Sequence, residues 1–212
     1  MEKTEFGQRI LQDHFFRTIL FAAAGMGWNL IYALFNGILG IVYQSFWFVT
    51  MFAYYAALGA MKLYVISLER SKNPKRNEKT VMQRLGLSLI GLSVVIVGII
   101  TLTIEKGVTN QYNDIIMISI ATFTFFIVIK AIVNMVKAHR KKQPRIIMLR
   151  NITCASAVGS LLSLERSMLG TFGEATARFT YVMEGASGLG AFIIIIALGV
   201  SMLHLSRRKQ EE

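Results

Sequence analysis

The sequence predicts an all-α, polytopic membrane helix bundle with six transmembrane helices. Of its 212 residues 54% are hydrophobic and only 17% are charged, and the mean hydropathy of +0.51 lies outside the range typical of soluble domains. Six apolar stretches approach the length of about 20 residues that a helix needs to cross a bilayer. Because backbone groups in lipid have to be paired within the segment, these stretches are predicted to be helices.

The six predicted spans divide the chain into hairpins. They lie at residues 18–35, 46–68, 85–104, 115–136, 146–164 and 185–205. Residues 1–16 place apolar side chains among charged ones, which is typical of an amphipathic helix in the membrane interface, and the alternative is a frayed terminus. The predicted domains are the interfacial segment 1–16, the transmembrane domain 17–205 with its hairpins 17–70, 84–137 and 146–205, and a tail at 206–212.

Basic residues are concentrated on one side of this topology. The formal net charge is +11, and 18 of the 23 lysines and arginines lie in the N-terminal segment, the second and fourth connections and the tail. Only Lys106, Arg166 and Arg178 lie on the opposite side. The positive-inside rule therefore predicts a protein of the cell (inner) membrane with both termini in the cytoplasm. The same clusters favour anionic lipid headgroups, and not nucleic acid, as partners of the positive charge.

An arginine recurs at the start of each hairpin. Arg17, Arg84 and Arg150 are 67 and 66 residues apart. A glycine follows each of them by 23 residues, at Gly40, Gly107 and Gly173. The spacing predicts an internal repeat of three hairpins. Two arrangements stay open: three parallel hairpins around a pseudo-threefold axis, or an inverted arrangement of three plus three spans.

The first hairpin carries a polar face and a group of aromatic residues. Asn29, Tyr32 and Asn36 are three and four residues apart and share one face of the first span. The glycines within 36–40 predict that this stretch is the outer turn. The rings that follow are typical of an anchor at the headgroup level: Tyr43, Phe46, Trp47 and Phe48.

Lysines and a row of hydroxyls lie inside later spans. Lys62 and Lys130 occupy corresponding places in the first two hairpins, and Asn134 shares the face of Lys130. The fifth span carries what we call the hydroxyl seam: Thr153, Ser156, Ser160, Ser163 and Ser167. Such side chains line a solute path or bond neighbouring helices, and the sequence leaves both roles open. For the lysines the alternative is that they extend to the inner interface.

The outer segment 165–184 is predicted to be a loop with a short helix. It carries an ionic cluster at the outer face, made of Glu165, Arg166, Arg178 and Glu184. The two glutamates are candidates for an acid/base pair, and the alternative is structural ion pairing with the arginines.

No catalytic or metal-binding motif accompanies these residues. The sequence has no HExxH, GxSxG or paired-cysteine pattern, and the single Cys154 excludes an intrachain disulfide. The histidines lie at the predicted cytoplasmic ends of spans, far from the ionic cluster: His14, His139 and His204. We expect no catalytic residue, no metal and no cofactor.

Several strings in the chain resemble a known family. They are YALFNGILG-x5-FWF-x5-YY-x6-K in the first hairpin, SMLGTFG after the fifth span, and RF-x3-ME-x2-SGLG leading into the sixth. Over most of the chain, these strings resemble a family of uncharacterised bacterial integral membrane proteins with six spans. The resemblance implies the six-span fold and no particular activity.

Three classes of function are consistent with the sequence. A transporter or channel for a small solute or ion would use these residues as its path: Asn29, Tyr32, Asn36, Lys62, Lys130, Asn134, Ser156, Ser160 and Ser163. A non-catalytic accessory, sensing or lipid- or protein-binding module would use them as contacts between helices, alone, as a homo-oligomer or with a membrane-protein partner. A membrane-embedded enzyme would use Glu165 and Glu184. Of the three we expect the transporter or channel.

Overall fold

The described part of the chain is helical throughout. The computed structural model describes residues 14–42, 44, 46–67, 74–106, 144–172 and 177–208, with scattered positions between 118 and 136. Five helices fill the continuous ranges: α1 (His14–Val42), α2 (Phe46–Ser67), α3 (Pro74–Lys106), α4 (Pro144–Phe172) and α5 (Ala177–Arg208). Within these ranges there is no strand, which confirms the all-α prediction.

Four segments are long and apolar enough to cross a membrane, as expected of a membrane protein. They are Phe46–Ser67, Glu78–Gly98, Pro144–Thr171 and Arg178–Arg207. Helix α1 adds a shorter apolar stretch, Asn29–Val42. Half of the predicted span at 115–136 lies outside the described residues, as do residues 1–13 and 209–212. Six spans and an internal repeat therefore remain predictions.

Local sequence explains where several helices begin and where the first hairpin turns. Pro74 and Pro144 are the first residues of α3 and α4. Proline suits the first turn because its missing N–H would have no partner there. Between α1 and α2, Gln44 has a φ of 48°, in the left-handed region that lets a chain reverse direction after a helix.

The turn of the first hairpin lies later than predicted. Helix α1 continues through 36–40 and ends at Val42. A Cβ at Gly37 would lie 3.1 Å from Phe52 Cδ2, and one at Gly40 would lie 2.9 Å from Val49 Cγ2. The prediction of a turn at 36–40 is wrong because these glycines let α1 and α2 approach closely within a continuous helix.

Helix α4 is the centre of the described bundle. It contacts each of the other four helices, and 67% of its membrane-length segment is buried, against 44, 39 and 33% for the other three. Around it, the most extensive contacts join α1 to α2 and α3 to α5. Met148, Ile152 and Ala155 of α4 are fully enclosed in the hydrophobic core.

Pairwise contacts give the directions of the helices. Glu78 and Arg145, each near the start of its helix, form an ion pair with an N–O distance of 2.6 Å, so α3 and α4 are parallel. Helix α5 is antiparallel to α3, since Gly199 lies against Gly86 and Gly188 against Ile100. We call the end where α3 and α4 begin the basic end, and it holds Lys62, Lys79, Arg84, Arg145, Arg150 and Arg207. The opposite end is called the Glu165 end.

Candidate functional site

The inward face of α4 carries hydrogen bonds that join three helices. Asn29 Nδ2 donates to Ser156 Oγ at 3.0 Å, a buried bond from α1 to α4. The hydroxyl oxygens of Tyr55 and Ser160 lie 3.0 Å apart and share a hydrogen bond between α2 and α4. The predicted polar face of the first span and the hydroxyl seam of the fifth therefore meet inside the bundle.

Two tyrosines of α2 complete this polar region, and neither was among the predicted site residues. The Tyr54 hydroxyl donates to the carbonyl oxygen of Ala155 at 2.6 Å. The Tyr55 ring packs edge-on against Tyr32 at 4.9 Å and against Tyr54 at 5.4 Å between ring centres. A Cβ at Gly159 would lie 2.5 Å from Tyr54 Cε1, so the glycine makes room for the ring. The sequence signal was the pair of adjacent tyrosines within an apolar span.

Most hydroxyls of the seam also donate to their own helix. Their acceptors are carbonyl oxygens four residues earlier, at 2.8–3.1 Å: Thr153 to Leu149, Ser156 to Ile152, Ser160 to Ser156, and Ser167 to Ser163. Asn36, which is buried, likewise donates Nδ2 to the carbonyl oxygen of Tyr32 at 2.8 Å. These donors are satisfied within the protein and need no solute.

Three side chains of α4 bury polar atoms that have no hydrogen-bond partner within the described ranges. The atoms are Nδ2 and Oδ1 of Asn151, Oγ of Ser163 and Oε1 of Glu165. Leaving such a group unpaired costs about 1–3 kcal/mol, so it often marks the place of a water or ligand. Asn151 was not predicted because it lies five residues before Ser156, outside the three-and-four spacing of the seam.

A buried ion pair connects α4 and α5 at the Glu165 end. Arg166 Nη1 donates to Glu184 Oε1 at 2.9 Å, and the two side chains are only 6 and 9% exposed. The guanidinium carbon of Arg166 lies 4.8 Å from the centre of the Trp47 ring, a cation–π geometry. Trp47 is itself buried, as is Phe48, so these two rings pack inside the bundle and do not face lipid headgroups as predicted. Phe46 is exposed, and Tyr43 lies outside the described residues, so for these two the anchor stays a prediction.

The ionic cluster lies on helices and not in an outer loop. Helix α4 extends to Phe172 and α5 begins at Ala177, which places Glu165, Arg166 and Glu184 on facing helices. The prediction of a loop at 165–184 is therefore wrong. The opposite charges of Arg166 and Glu184 are in contact, so both side chains can be buried between two helices. Arg178 is exposed, and within the described ranges it forms no ion pair.

A small cavity lies beside the ion pair. Its volume is about 10 Å³, and its lining includes Trp47, Ile100, Glu165, Arg166, Glu184 and Ser187. This is about the volume that holds one water molecule. Because Arg166 holds the carboxylate of Glu184, the arrangement favours the structural interpretation of these residues over an acid/base pair.

At the basic end, Lys62 is buried inside the bundle. Its side chain is 2% exposed and lies within electrostatic range of Arg150. The alternative in which this lysine extends to the inner interface is therefore wrong. Lys130 and Asn134, the other predicted residues of this group, lie outside the described residues.

Neither the described side chains nor the comparisons with known proteins identify a reaction or a ligand. Among the described residues there is no group of three or more metal-ligating side chains. Protein-family models, curated proteins and solved structures give no match to the chain. The resemblance to six-span membrane proteins therefore remains a prediction.

Proposed function

We propose that the protein is a multi-pass membrane protein of transporter type, in which α4 lines the route of a small polar solute. The observation that carries the proposal is the amide of Asn151, fully buried on the central helix, where neither polar atom has a hydrogen-bond partner among the described residues. An asparagine side chain offers two N–H donors and one acceptor oxygen. If α4 only packed against other helices, neighbouring residues would form hydrogen bonds with this amide. A solute leaving water needs such groups as replacement partners.

Ser163 extends this capacity along α4 towards the Glu165 end. It lies 12 residues after Asn151, and its buried hydroxyl oxygen also has no partner within the described ranges. Twelve helical residues span about 18 Å, more than half the thickness of the hydrocarbon core. The two positions thus mark a length of the central helix and not one face of it, since Asn151 lies about 140° around the helix from Ser156.

Two hydrogen bonds, formed by seam residues that lie between Asn151 and Ser163 in the sequence, close the proposed route. Asn29 bonds to Ser156, and Tyr55 bonds to Ser160. A hydrogen bond between membrane helices contributes about 0.6–2 kcal/mol net. A polar solute can therefore replace each bond with its own at small net cost, and the route opens as helices α1 and α2 move from α4.

Thiol accessibility tests the route. Cys154→Ser gives a cysteine-free chain, into which single cysteines are placed at Ser156, Ser160 and Ser163. We expect a membrane-impermeant thiol reagent to label these positions in membranes, because the route is hydrated. Leu161→Cys, on the outward face of α4 at 37% exposure, is the control that lipid should protect. Protection of all three seam positions from both sides would contradict a solute route.

We also propose six spans, with both termini in the cytoplasm and the basic end against anionic headgroups. Helix α3 reaches the Glu165 end at Lys106, whereas α4 starts at the basic end at Pro144. The chain therefore has to return between them, and 115–136 is apolar and long enough to do so in one crossing. The basic residues shared by one end support the orientation.

A non-catalytic module that binds lipid or a membrane-protein partner is the second candidate. It is favoured by the seam hydroxyls that donate to their own helix and so serve packing. The two candidates differ in the hydration of the hydroxyl seam. Water reaches the seam in a transporter, whereas the seam is dry in a binding module. The thiol experiment therefore separates them.

A further inference from the structure

An apolar groove opens between α3 and α5 near the Glu165 end. Its volume is about 230 Å³, below the roughly 300–1,000 Å³ of sites that enclose a drug-sized ligand. Its walls include Val97, Ile100 and Thr101 from α3 and Tyr181, Gly185 and Leu189 from α5. The Thr101 hydroxyl donates to the Val97 carbonyl oxygen at 2.9 Å, so this polar group is already satisfied. Such a groove suits part of an alkyl chain.

The groove adjoins the cavity beside Glu165. Ile100 lines both, and Glu184 of the cavity is the chain neighbour of Gly185 in the groove. Arg166 offsets the charge of Glu184, which leaves the cluster of Glu165, Arg166 and Glu184 with a formal charge of −1. Oε1 of Glu165 is buried and has no hydrogen-bond partner in the part of the chain that the structure describes. A cation with an N–H donor would supply both the charge and the bond.

We propose that the groove and the cavity together bind a phospholipid with a primary-amine headgroup. Its ammonium group lies against Glu165, and one acyl chain lies between α3 and α5. The site uses neither Asn151 nor Ser163, so it is independent of the solute route proposed above.

The size and charge of the cavity select the headgroup. A volume of about 10 Å³ admits a group the size of one water molecule, which a primary ammonium matches and a trimethylammonium exceeds. A choline lipid should therefore bind more weakly, because its headgroup is larger and has no N–H donor. A glycerol lipid should also bind more weakly, because it has no cation to offset the −1 charge of the cluster.

Native mass spectrometry of the full chain tests the headgroup preference. The protein is released from bilayer discs made with equal parts of ethanolamine, choline and glycerol phospholipids that share the same acyl chains. We expect the ethanolamine lipid to be retained about tenfold over each of the others, as one charge-assisted hydrogen bond implies. Equal retention of the three lipids by the unaltered chain would overturn the proposal.

Two variants with a matched control test the two halves of the site. Glu165→Gln keeps the shape of the side chain, removes its charge and should abolish the headgroup preference. Gly185→Leu fills the groove and should lower ethanolamine-lipid retention about tenfold, which corresponds to the loss of about two buried CH₂ groups of the acyl chain. Gly190→Leu is the control, because a Cβ at either glycine meets no atom within 4 Å and Gly190 does not line the groove.

Retention of the preference by a folded Glu165→Gln chain would overturn the role of the carboxylate. Equal lipid retention by the Gly185→Leu and Gly190→Leu chains would overturn the role of the groove. Gel-filtration profiles and melting curves establish that each variant is folded.

Discussion

Among single residues, Arg166 is a buried cation that depends on a partner. Its side chain is 6% exposed, and its charge is neutralised by Glu184. Glu184→Met removes the negative charge and the acceptor, and leaves a buried cation against Trp47. Breaking a buried pair in this way costs about 3–5 kcal/mol. We expect the melting temperature of the purified protein in detergent to fall by roughly 6–20 °C.

The double variant is the control for this prediction. Replacing Arg166 and Glu184 together by Met removes both charges, and such replacements of buried pairs are often neutral in stability. The double variant should therefore recover most of the melting temperature lost in Glu184→Met. A single variant as stable as the native chain would contradict the burial of Arg166.

The bond from Asn29 to Ser156 predicts energetic coupling between α1 and α4. A double-mutant cycle with Asn29→Leu and Ser156→Ala should give a coupling free energy of about 0.6–1.7 kcal/mol in unfolding experiments. Ser167→Ala is the control partner for Asn29→Leu, because the Ser167 hydroxyl donates to Ser163 in its own helix. Additive effects in the first cycle would show that the bond contributes no stability.

At the scale of helices, the crossing of α3 and α5 depends on a pair of glycines. A Cβ at Gly86 would lie 2.9 Å from the carbonyl oxygen of Gly199, and one at Gly199 would lie 2.8 Å from that of Gly86. Gly86→Ala therefore forces the helices apart and should lower the free energy of unfolding by about 1–3 kcal/mol. The measurement is thermal or denaturant unfolding in detergent.

Gly91→Ala is the control on the same helix, since no atom lies within 4 Å of a Cβ there. Its free energy of unfolding should not fall and should rise by up to about 1 kcal/mol, because alanine has a higher helix propensity than glycine. Equal losses in the two variants would mean that the close contact at the crossing does not determine the effect.

Helix existence was predictable from the sequence, but the role of individual glycines and charges was not. Apolar length alone located α2 to α5, because the bilayer dictates both length and composition. Gly37 was assigned to a turn, since glycine marks turns and close helix contacts alike. Arg166 and Glu184 were assigned to a loop, because sequence does not show that the two charges meet.

At the scale of the whole molecule, the centre of the bundle follows from long-range packing. The spacing of Asn29, Asn36 and Ser156 showed which faces point inward, and all three side chains are buried. Spacing does not show which helix meets which, so Tyr54 was missed as a member of the polar region and Asn151 as a buried amide. Their places become apparent only when α4 is surrounded by the other four helices.

The directions of the helices lead to a prediction for the topology of the whole chain. Helix α1 is antiparallel to α2, because Gly37 lies against Phe52 and Gly40 against Val49. It therefore starts at the basic end, where α5 also ends at Arg208. With the proposed return at 115–136, the chain makes an even number of crossings.

Reporter fusions measure this topology. A fluorescent protein fused after Glu212 should fluoresce, and alkaline phosphatase fused after Gly173 should be active, because the positive-inside rule keeps the basic end in the cytoplasm. An active phosphatase after Glu212 would contradict the orientation. If reporters fused to the two termini instead indicated opposite sides of the membrane, the number of spans would be odd. That result would contradict the return crossing.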